Sequence, residues 1–564
     1  MKTSARFFLC ALLIFVSLLA APAQTRVADI FGRSLNQRGV TLVDWDGYLA
    51  NPLIKIYLLP PTNAVLPGSA TLAANGVRLY FDNPSTVSTN GPGKTVSLTS
   101  TNVAVPVGVS IFPDRDGADE DYTLTIVFTG ADSVKQTNTL PIHVIDQDLQ
   151  RTNEFFVTLN FDRDVTGFFT NANRRAIVRT AVDDWSYFFT SMDLDEVAAG
   201  TESTYIWSNQ FAGGNYFLNT NTYTGYLLYA YGTTNSAHRS GGEASFYGGA
   251  QSTNGTSLTL HRSGGFEAEI YGNYNTLGWL YNTNDNDWLA TGNFGNETND
   301  FFSITHHETG HALAFNVGHP GFNFAKTNGG FSSFAVTNYY GSNVVIDATD
   351  HISGAIDPES GQGAFGYDYY GNIPRKRWLI TKLDLLCAQE VGYELRTNSL
   401  FAPLSIATSA LPAATVAVFY TNALVASGGI AFYNWDLTNG ALPPGLALDS
   451  FTGALTGTPT NLGVYNFTGR LRDYHATGGG VAQTFTLNVT ATGSAPTLSI
   501  KLTATNTVLV FWPSPSTGYN LQVNTSLATT NWVTPAETVQ TNGANKFILV
   551  NPPAGSRFYR LKNP

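Results

Sequence analysis

Between Thr25 and Gln150, apolar and polar residues alternate with a period of two. Ile54-Lys55-Ile56-Tyr57-Leu58 and Tyr122-Thr123-Leu124-Thr125-Ile126-Val127-Phe128 each place every second side chain on one face, with turn residues between such runs. That pattern predicts half-buried strands, and their number and spacing predict a β-sandwich over 24–150. The period then changes. A strand is expected from Phe155 to Phe161, and Asn173 to Trp185 has helical spacing, with Ala176, Ile177, Ala181 and Trp185 on one stripe. Another strand is expected from Gly225 to Tyr231. A helix follows Asn299-Asp300, which reads as its cap; Phe302, Ile304, Ala312, Leu313 and Phe315 give it apolar surface, and Gly318 and Pro320 close it. A last helix runs from Thr381, as N-cap, to Glu390 and stops at Gly392. Residues 151–397 thus read as one mixed α+β domain. Beyond it only short strands and turns remain, predicting two further β-sandwiches over 398–491 and 492–564, the second with Trp512 and Trp532 as core anchors. The stretch 232–299, rich in Gly, Asn, Ser and Tyr, is long for a loop and is expected to hold short strands and functional loops. His238 and His261 lie in it beside Arg239 and Arg262, as solvated or substrate-facing residues.

Composition narrows the class. Charged residues are 13% of the chain, about half the usual share, and the net charge is −11. An uncharged polar surface suits a β-rich secreted protein, and the acidic balance argues against nucleic acid as a partner. Lys2 and Arg6 precede the apolar run Phe7 to Ala20, and Ala21-Pro22-Ala23 offers a cleavage site, so 1–23 reads as a secretory signal. No second long apolar run follows, so no membrane span is expected in the mature chain. With Cys10 inside the signal, Cys387 is the mature chain's one cysteine, which rules out an intrachain disulfide; it falls in an apolar helical pattern and is expected to be a buried small hydrophobe. One loop is densely acidic. Asp114, Asp116, Asp119 and Asp121 crowd around Gly117 and are the candidates for holding Ca²⁺, although their spacing is not that of an EF-hand and a solvated turn is the plainer reading.

The strongest chemical signal is His306-His307-Glu308-Thr309-Gly310-His311, where three of the chain's nine histidines fall within six residues. It contains H-E-x-x-H. On a helix His307 and His311 share one face, one turn apart, and can both reach a Zn²⁺ at about 2.0–2.1 Å. Glu308, beside the first ligand, can take a proton from an attacking water. His306 lies roughly 100° round the axis from His307 and is expected to pack or to support rather than to ligate.

This segment resembles the zinc helix of the metzincin-type metallopeptidases, whose pattern is H-E-x-x-H-x-x-G-x-x-H. Ala314 stands at the position of that glycine and Val317 at that of the third histidine. Thr381 to Tyr393 is similar to the C-terminal helix that follows the active site in matrixin-like secreted bacterial peptidases, and Asp300-Phe301-Phe302-Ser303 resembles their entry to the zinc helix. The likeness covers roughly residues 155–395. It implies an α+β metzincin-like catalytic domain flanked by all-β sandwich domains, and a third zinc ligand. His351, forty residues after His311, matches the leishmanolysin-like arrangement, in which an insertion precedes the third histidine. His319 is the local alternative, and Asp347, Asp350 and Glu390 are the carboxylate alternatives, Glu390 giving a gluzincin-like site. No methionine follows the zinc helix; Tyr367 falls where the family's methionine turn would, as an apolar floor or an oxyanion partner, packing being its plainer role. Residues 400–490 resemble the Ig-like repeats of bacterial surface proteins through Leu442-Pro443-Pro444-Gly445-Leu446 and Leu455-Thr456-Gly457-Thr458-Pro459.

Two function classes follow. The first is a secreted zinc endopeptidase acting on protein or peptide substrates, with Glu308 as general base and His307, His311 and His351 on the metal. The second is a non-catalytic cell-surface adhesin, its β-domains contacting protein or glycan and its zinc site structural or vestigial. Glu308 separates the two, because a structural zinc site needs no carboxylate between its ligands. A carbohydrate-active enzyme would need paired carboxylates, and neither Asp183-Asp184 nor Glu267/Glu269 sits in a convincing context for one.

Overall fold

The computed structural model describes residues 24–562, apart from 76–77, 83–92, 115–116, 149–154, 191–195, 202, 207–214, 234–241, 248–249, 254–256, 261, 270–278, 281–298, 367–377, 397–401, 431–432, 475–478, 492–495 and 517. The expected signal segment 1–23, Asp116, His238, His261 and Tyr367 therefore lie outside the described residues. The chain is multidomain and mostly β. Among the described residues no helix is long and apolar enough to cross a membrane.

The N-terminal alternation folds as two facing sheets. One runs in the order Arg26–Ala28, Ile54–Leu59, Val105–Ile111, Leu79–Phe81; the other in the order Val40–Asp44, Lys135–Asp146, Glu120–Thr129, Gly68–Ala74, Gly93–Leu98. The period of two is visible in burial: Leu124, Ile126 and Phe128 point inward, whereas Thr123 is exposed and Thr125, Val127 and Thr129 are half-buried.

Next comes a mixed sheet. Val157–Asn160, Tyr226–Thr233 and Arg262–Glu269 are parallel, and Gly242–Tyr247 joins antiparallel at the edge. Five α-helices accompany it among the described residues: α1 (Ala172–Tyr187), α2 (Phe301–Leu313), α3 (Pro320–Thr327), α4 (Phe334–Tyr340) and α5 (Lys382–Val391). The buried stripe of α1 is Ile177, Val178, Ala181, Val182 and Trp185, with Asp184 among them; Ala176 is exposed. The stripe turned because burial follows the two valines, which cover more apolar area than an alanine. α5 has the expected cap: Thr381 and Asp384 form a reciprocal capping box. Cys387 is buried inside it, where burial pushes the thiol well above its ordinary value.

The histidine helix differs at both ends from the sequence expectation. Asn299–Asp300 is a short strand paired with Trp279–Leu280 and leads directly into the helix. At the far end the helix stops at Leu313: the Ala314 amide makes an i→i−4 bond to the Gly310 carbonyl, and the Phe315 amide reaches the same carbonyl in a wider i→i−5 turn that leads the chain out of the helix. Pro320 does not close this helix but opens the next: its missing N–H costs nothing at the first position of α3.

Beyond residue 401 the chain builds an Ig-like domain, with a sheet in the order Ala414–Thr415, Val481–Thr490, Gly463–Arg472, Asn434–Gly440 facing smaller sheets. Trp435, Phe467 and Phe485 fill its core. The last unit pairs Ser499–Leu502, Val508–Pro513, Asn545–Val550 and Gln540–Thr541 over a small core around Trp512. Trp532 does not anchor that core; it is half-buried, with the Arg560 guanidinium 4.3 Å from its ring centroid.

Candidate metal centre

α2 is buried along its whole length. Its rear is fixed by α1: Trp185 Nε1 donates to the His306 carbonyl at 2.9 Å, and His306 Nε2 lies 2.6 Å from Asp184 Oδ2, both side chains fully buried. His306 is thereby committed to the helix–helix contact. The face carrying His307 and His311 is left for the site.

His351 reaches that face from a hairpin. Ile346 and Ile352 bridge, and Asp347 closes the turn between them: its Oδ1 accepts from the Thr349 amide at 2.8 Å, the Thr349 hydroxyl at 2.8 Å and the His351 amide at 3.1 Å. The three imidazoles converge. Ring centroids are 4.8 Å apart for His307–His311, 5.3 Å for His307–His351 and 4.8 Å for His311–His351. One ring nitrogen of each lies within 4.8 Å of the other two, and the Nε2 atoms of His311 and His351 are 3.2 Å apart.

The remaining nitrogens explain the orientation. His311 Nδ1 is 2.6 Å from the Phe315 carbonyl, which the early end of α2 makes accessible, and His351 Nδ1 is 3.1 Å from the Thr349 hydroxyl. A proton held on Nδ1 leaves the Nε2 lone pair facing inward, as a metal ligand requires. Burial, then the neighbouring imidazoles, holds His307 well below the ordinary histidine value; the same causes take His311 down to about 3. His351 is lowered by burial, with Asp347 opposing. The trio is neutral at neutral pH. Three neutral imidazoles aimed at one point are the donor set Zn²⁺ prefers, so these residues fit that ion. Glu308 is next to His307 on the helix and 2% exposed.

The floor of the site is Phe365, which the sequence did not single out. It sits in the left-handed region at φ 46°, ψ 45°, and its amide donates to Asp384 Oδ1 at 2.7 Å. Its ring stacks on His307 at 4.5 Å and meets His311 edge-on at 4.6 Å, with Phe315 at 4.5 Å behind. Gly310 makes room for it. A Cβ there would lie 2.6 Å from Phe365 Cε2 and 2.9 Å from Trp185 Cζ2.

The alternative ligands are engaged elsewhere. His319 is the N-cap of α3, its Nδ1 accepting from the Gly321 amide at 3.2 Å. Glu390 accepts from the Ser332 and Ser333 amides, and Asp350 pairs with Lys326. Asp347 acts on the turn rather than at the centre. Asp184 is taken by His306, and Asp183 lies 3.9 Å from Arg179, so the two carboxylates of that pair face different partners.

The acidic loop is arranged differently from the sequence expectation. Asp114 converges with Asp44 and Asp146, not with Asp119 and Asp121. Asp119 Oδ1 accepts from the Asp146 amide, and Asp121 pairs with His143. Arg78 also pairs with Asp44, Asp114 and Glu120, so a guanidinium shares the carboxylates of this cluster.

Comparisons with known proteins bear mainly on the β-domains. Residues 402–508 match the family described as "Putative Ig domain". No curated protein matches the chain. Among solved structures, a "putative alpha-galactosidase" from Bacteroides fragilis is 20% identical over 17% of this chain and 19% of its own, with a TM-score of 0.15. A second B. fragilis protein, a "putative alpha-galactosidase/melibiase", is 23% identical over 15% and 17%, with a TM-score of 0.14. The chain spans less than a fifth of the length of either. The human desmocollin-1 ectodomain is 8% identical over 96% of this chain and 79% of its own, with a TM-score of 0.13. Likenesses of this order carry no argument about chemistry. What the family comparison establishes is an Ig-like domain behind the unit that holds the three histidines.

Proposed function

We propose that the protein is a secreted zinc-dependent endopeptidase. The observation that carries this reading is the convergence of His307, His311 and His351 beside Glu308. Two ligands and the carboxylate come from one helix turn, and the third ligand comes from a hairpin forty residues on. His307, His311 and His351 would hold the metal. Zinc, when bound, supplies a Lewis acid for the scissile carbonyl and lowers the pKa of water. Glu308 takes the proton of the attacking water and passes it to the leaving amine. Phe365 and Phe315 exclude solvent beneath the histidines, and Thr349 and the Phe315 carbonyl fix the ring tautomers.

Glu308 also argues against a purely structural site, the adhesin reading. A site whose task is only to hold zinc needs no carboxylate between its ligands, whereas H-E-x-x-H puts Glu308 directly beside His307. The apolar run Phe7 to Ala20 and the Ig-like domain support an extracellular location. Incubating zinc-loaded protein with unfolded proteins, and identifying new termini by mass spectrometry, tests the reading; cleavage that survives Glu308→Ala would refute this role for Glu308.

A further inference from the structure

Among the described residues, the N-terminal sandwich meets the rear of the histidine helix. Its segment 45–53 enters the unit that carries the site from behind. Asn51, fully buried, knots this segment: its Oδ1 accepts from the Trp45 amide at 2.8 Å, and its Nδ2 donates to Asp44 Oδ1 at 2.7 Å. The knot presents Tyr48, Leu49 and Ala50. Tyr48 packs on Phe302 at 5.2 Å and on His306 at 5.5 Å. Both residues lie on the rear of α2, His306 being roughly 100° and 140° round the axis from His307 and His311.

The contact is also made by backbone. Leu49 bridges Ile380, the Ala50 amide donates to the Ile380 carbonyl at 2.8 Å, and the Leu53 amide donates to the Glu359 carbonyl at 2.8 Å. The Tyr187 hydroxyl bonds Asp46. Gly47, at φ +81°, passes so close to α1 and the residue after it that a Cβ would lie 2.7 Å from the Tyr187 ring and 2.9 Å from Phe188. Apolar burial is continuous from Val27 through Tyr48 and Phe302 to Tyr393. The sandwich's other side meets the Ig-like domain, where Arg38 pairs with Asp449 at 2.5 Å and the Arg33 guanidinium lies 3.8 Å from the Phe451 ring centroid.

We infer that the N-terminal sandwich is a permanent wall of the unit carrying the histidines, retained in the working protein, and not a leader removed to uncover the site. Its removal would expose Phe302, His306 and Ile380 and strip the backbone pairings to Ile380 and Glu359, and the aromatic contacts described above run to the rear of α2 rather than to His307, His311 or His351. The inference does not depend on the peptidase reading, and its tests use neither zinc nor substrate.

Two measurements on the full chain decide it. The N-terminus of protein purified from the culture medium, determined by intact mass and terminal sequencing, is expected to precede Val27. A mature form that begins beyond residue 150 and keeps α2 protected from hydrogen exchange would overturn the inference. Hydrogen exchange of Gly47→Ala against wild type is the second. Exchange is expected to accelerate about ten-fold in Ile54–Leu59 and in α2 together. Acceleration in the sandwich with α2 unchanged would overturn it. Should Gly47→Ala not accumulate, wild type alone suffices: under conditions where exchange follows global opening, the two segments should shift mass in one correlated step, and separate steps would contradict a shared core.

Discussion

Gly310→Ala probes the packing beneath the histidines. In an open helix the change would stabilise, because glycine costs about 1 kcal/mol relative to alanine. Here the added Cβ would lie 2.6 Å from Phe365 Cε2 and 2.9 Å from Trp185 Cζ2. Trp185 is pinned by its bond to the His306 carbonyl, so Phe365 must yield, by roughly 1 Å to regain a normal carbon–carbon contact. Overpacking of this kind costs about 1–3 kcal/mol, so the net effect on the fold lies between about zero and 2 kcal/mol of destabilisation. The larger consequence falls on the site. Phe365 stacks on His307 and abuts His311, and moving it tilts both rings. Zinc affinity, measured by competition with a chromophoric chelator, should fall about 10–100-fold, the usual effect of disturbing a group that orients ligands. A variant with unchanged zinc affinity and a melting temperature raised by the helix-propensity gain would show that Phe365 does not support the histidines.

Four further outcomes are expected. His351→Ala should abolish tight zinc binding, whereas His319→Ala should keep zinc and lose about 1 kcal/mol from the α3 cap, read by chemical denaturation. Asp347→Ala frees the His351 turn and should weaken zinc about 10–100-fold with little change in far-UV circular dichroism. Glu308→Gln should retain zinc and lose about 10²–10⁴-fold in turnover, measured on a quenched fluorescent peptide. For the metal-free protein the sign of the pH effect is fixed by the depressed histidines: unfolded imidazoles take protons near 6.5 and folded His311 only near 3, so stability is full above about 6.5 and falls as pH drops toward 3. Denaturant midpoints that rise on acidification through that window would contradict it.

Local pattern carried much of the architecture. The period-two runs before Gln150 are strands, the spacing of α1 and the Thr381 cap of α5 are where periodicity and capping chemistry put them, and the histidine spacing marks its own helix. What escaped depends on long-range contact. Phe365 carries no motif, and its role follows from a left-handed backbone and a gap at Gly310 fifty-five residues earlier. Helical spacing predicts that His306 packs or supports, but its partner Asp184 lies 122 positions away, where no local pattern points to it. That Asp114 gathers with Asp44 and Asp146, and that Arg78 pairs with Asp44 and Asp114, depends on residues distant in sequence. Segment 45–53 carries no motif that marks it as a contact, yet Tyr48 is buried against α2. Asn299–Asp300 has the composition of a cap, and strand pairing with Trp279–Leu280 prevailed over it.

The central claim is that His307, His311 and His351 hold a zinc ion that, with Glu308, cleaves peptide bonds. The most direct measurement combines metal content and proteolysis on mature protein, wild type and Glu308→Ala, with and without chelator. The expected result is one zinc per chain in both proteins and new peptide termini from wild type alone, abolished by chelation. Zinc-loaded wild type that leaves a broad mixture of unfolded proteins intact would contradict the claim and favour a binding role for the chain.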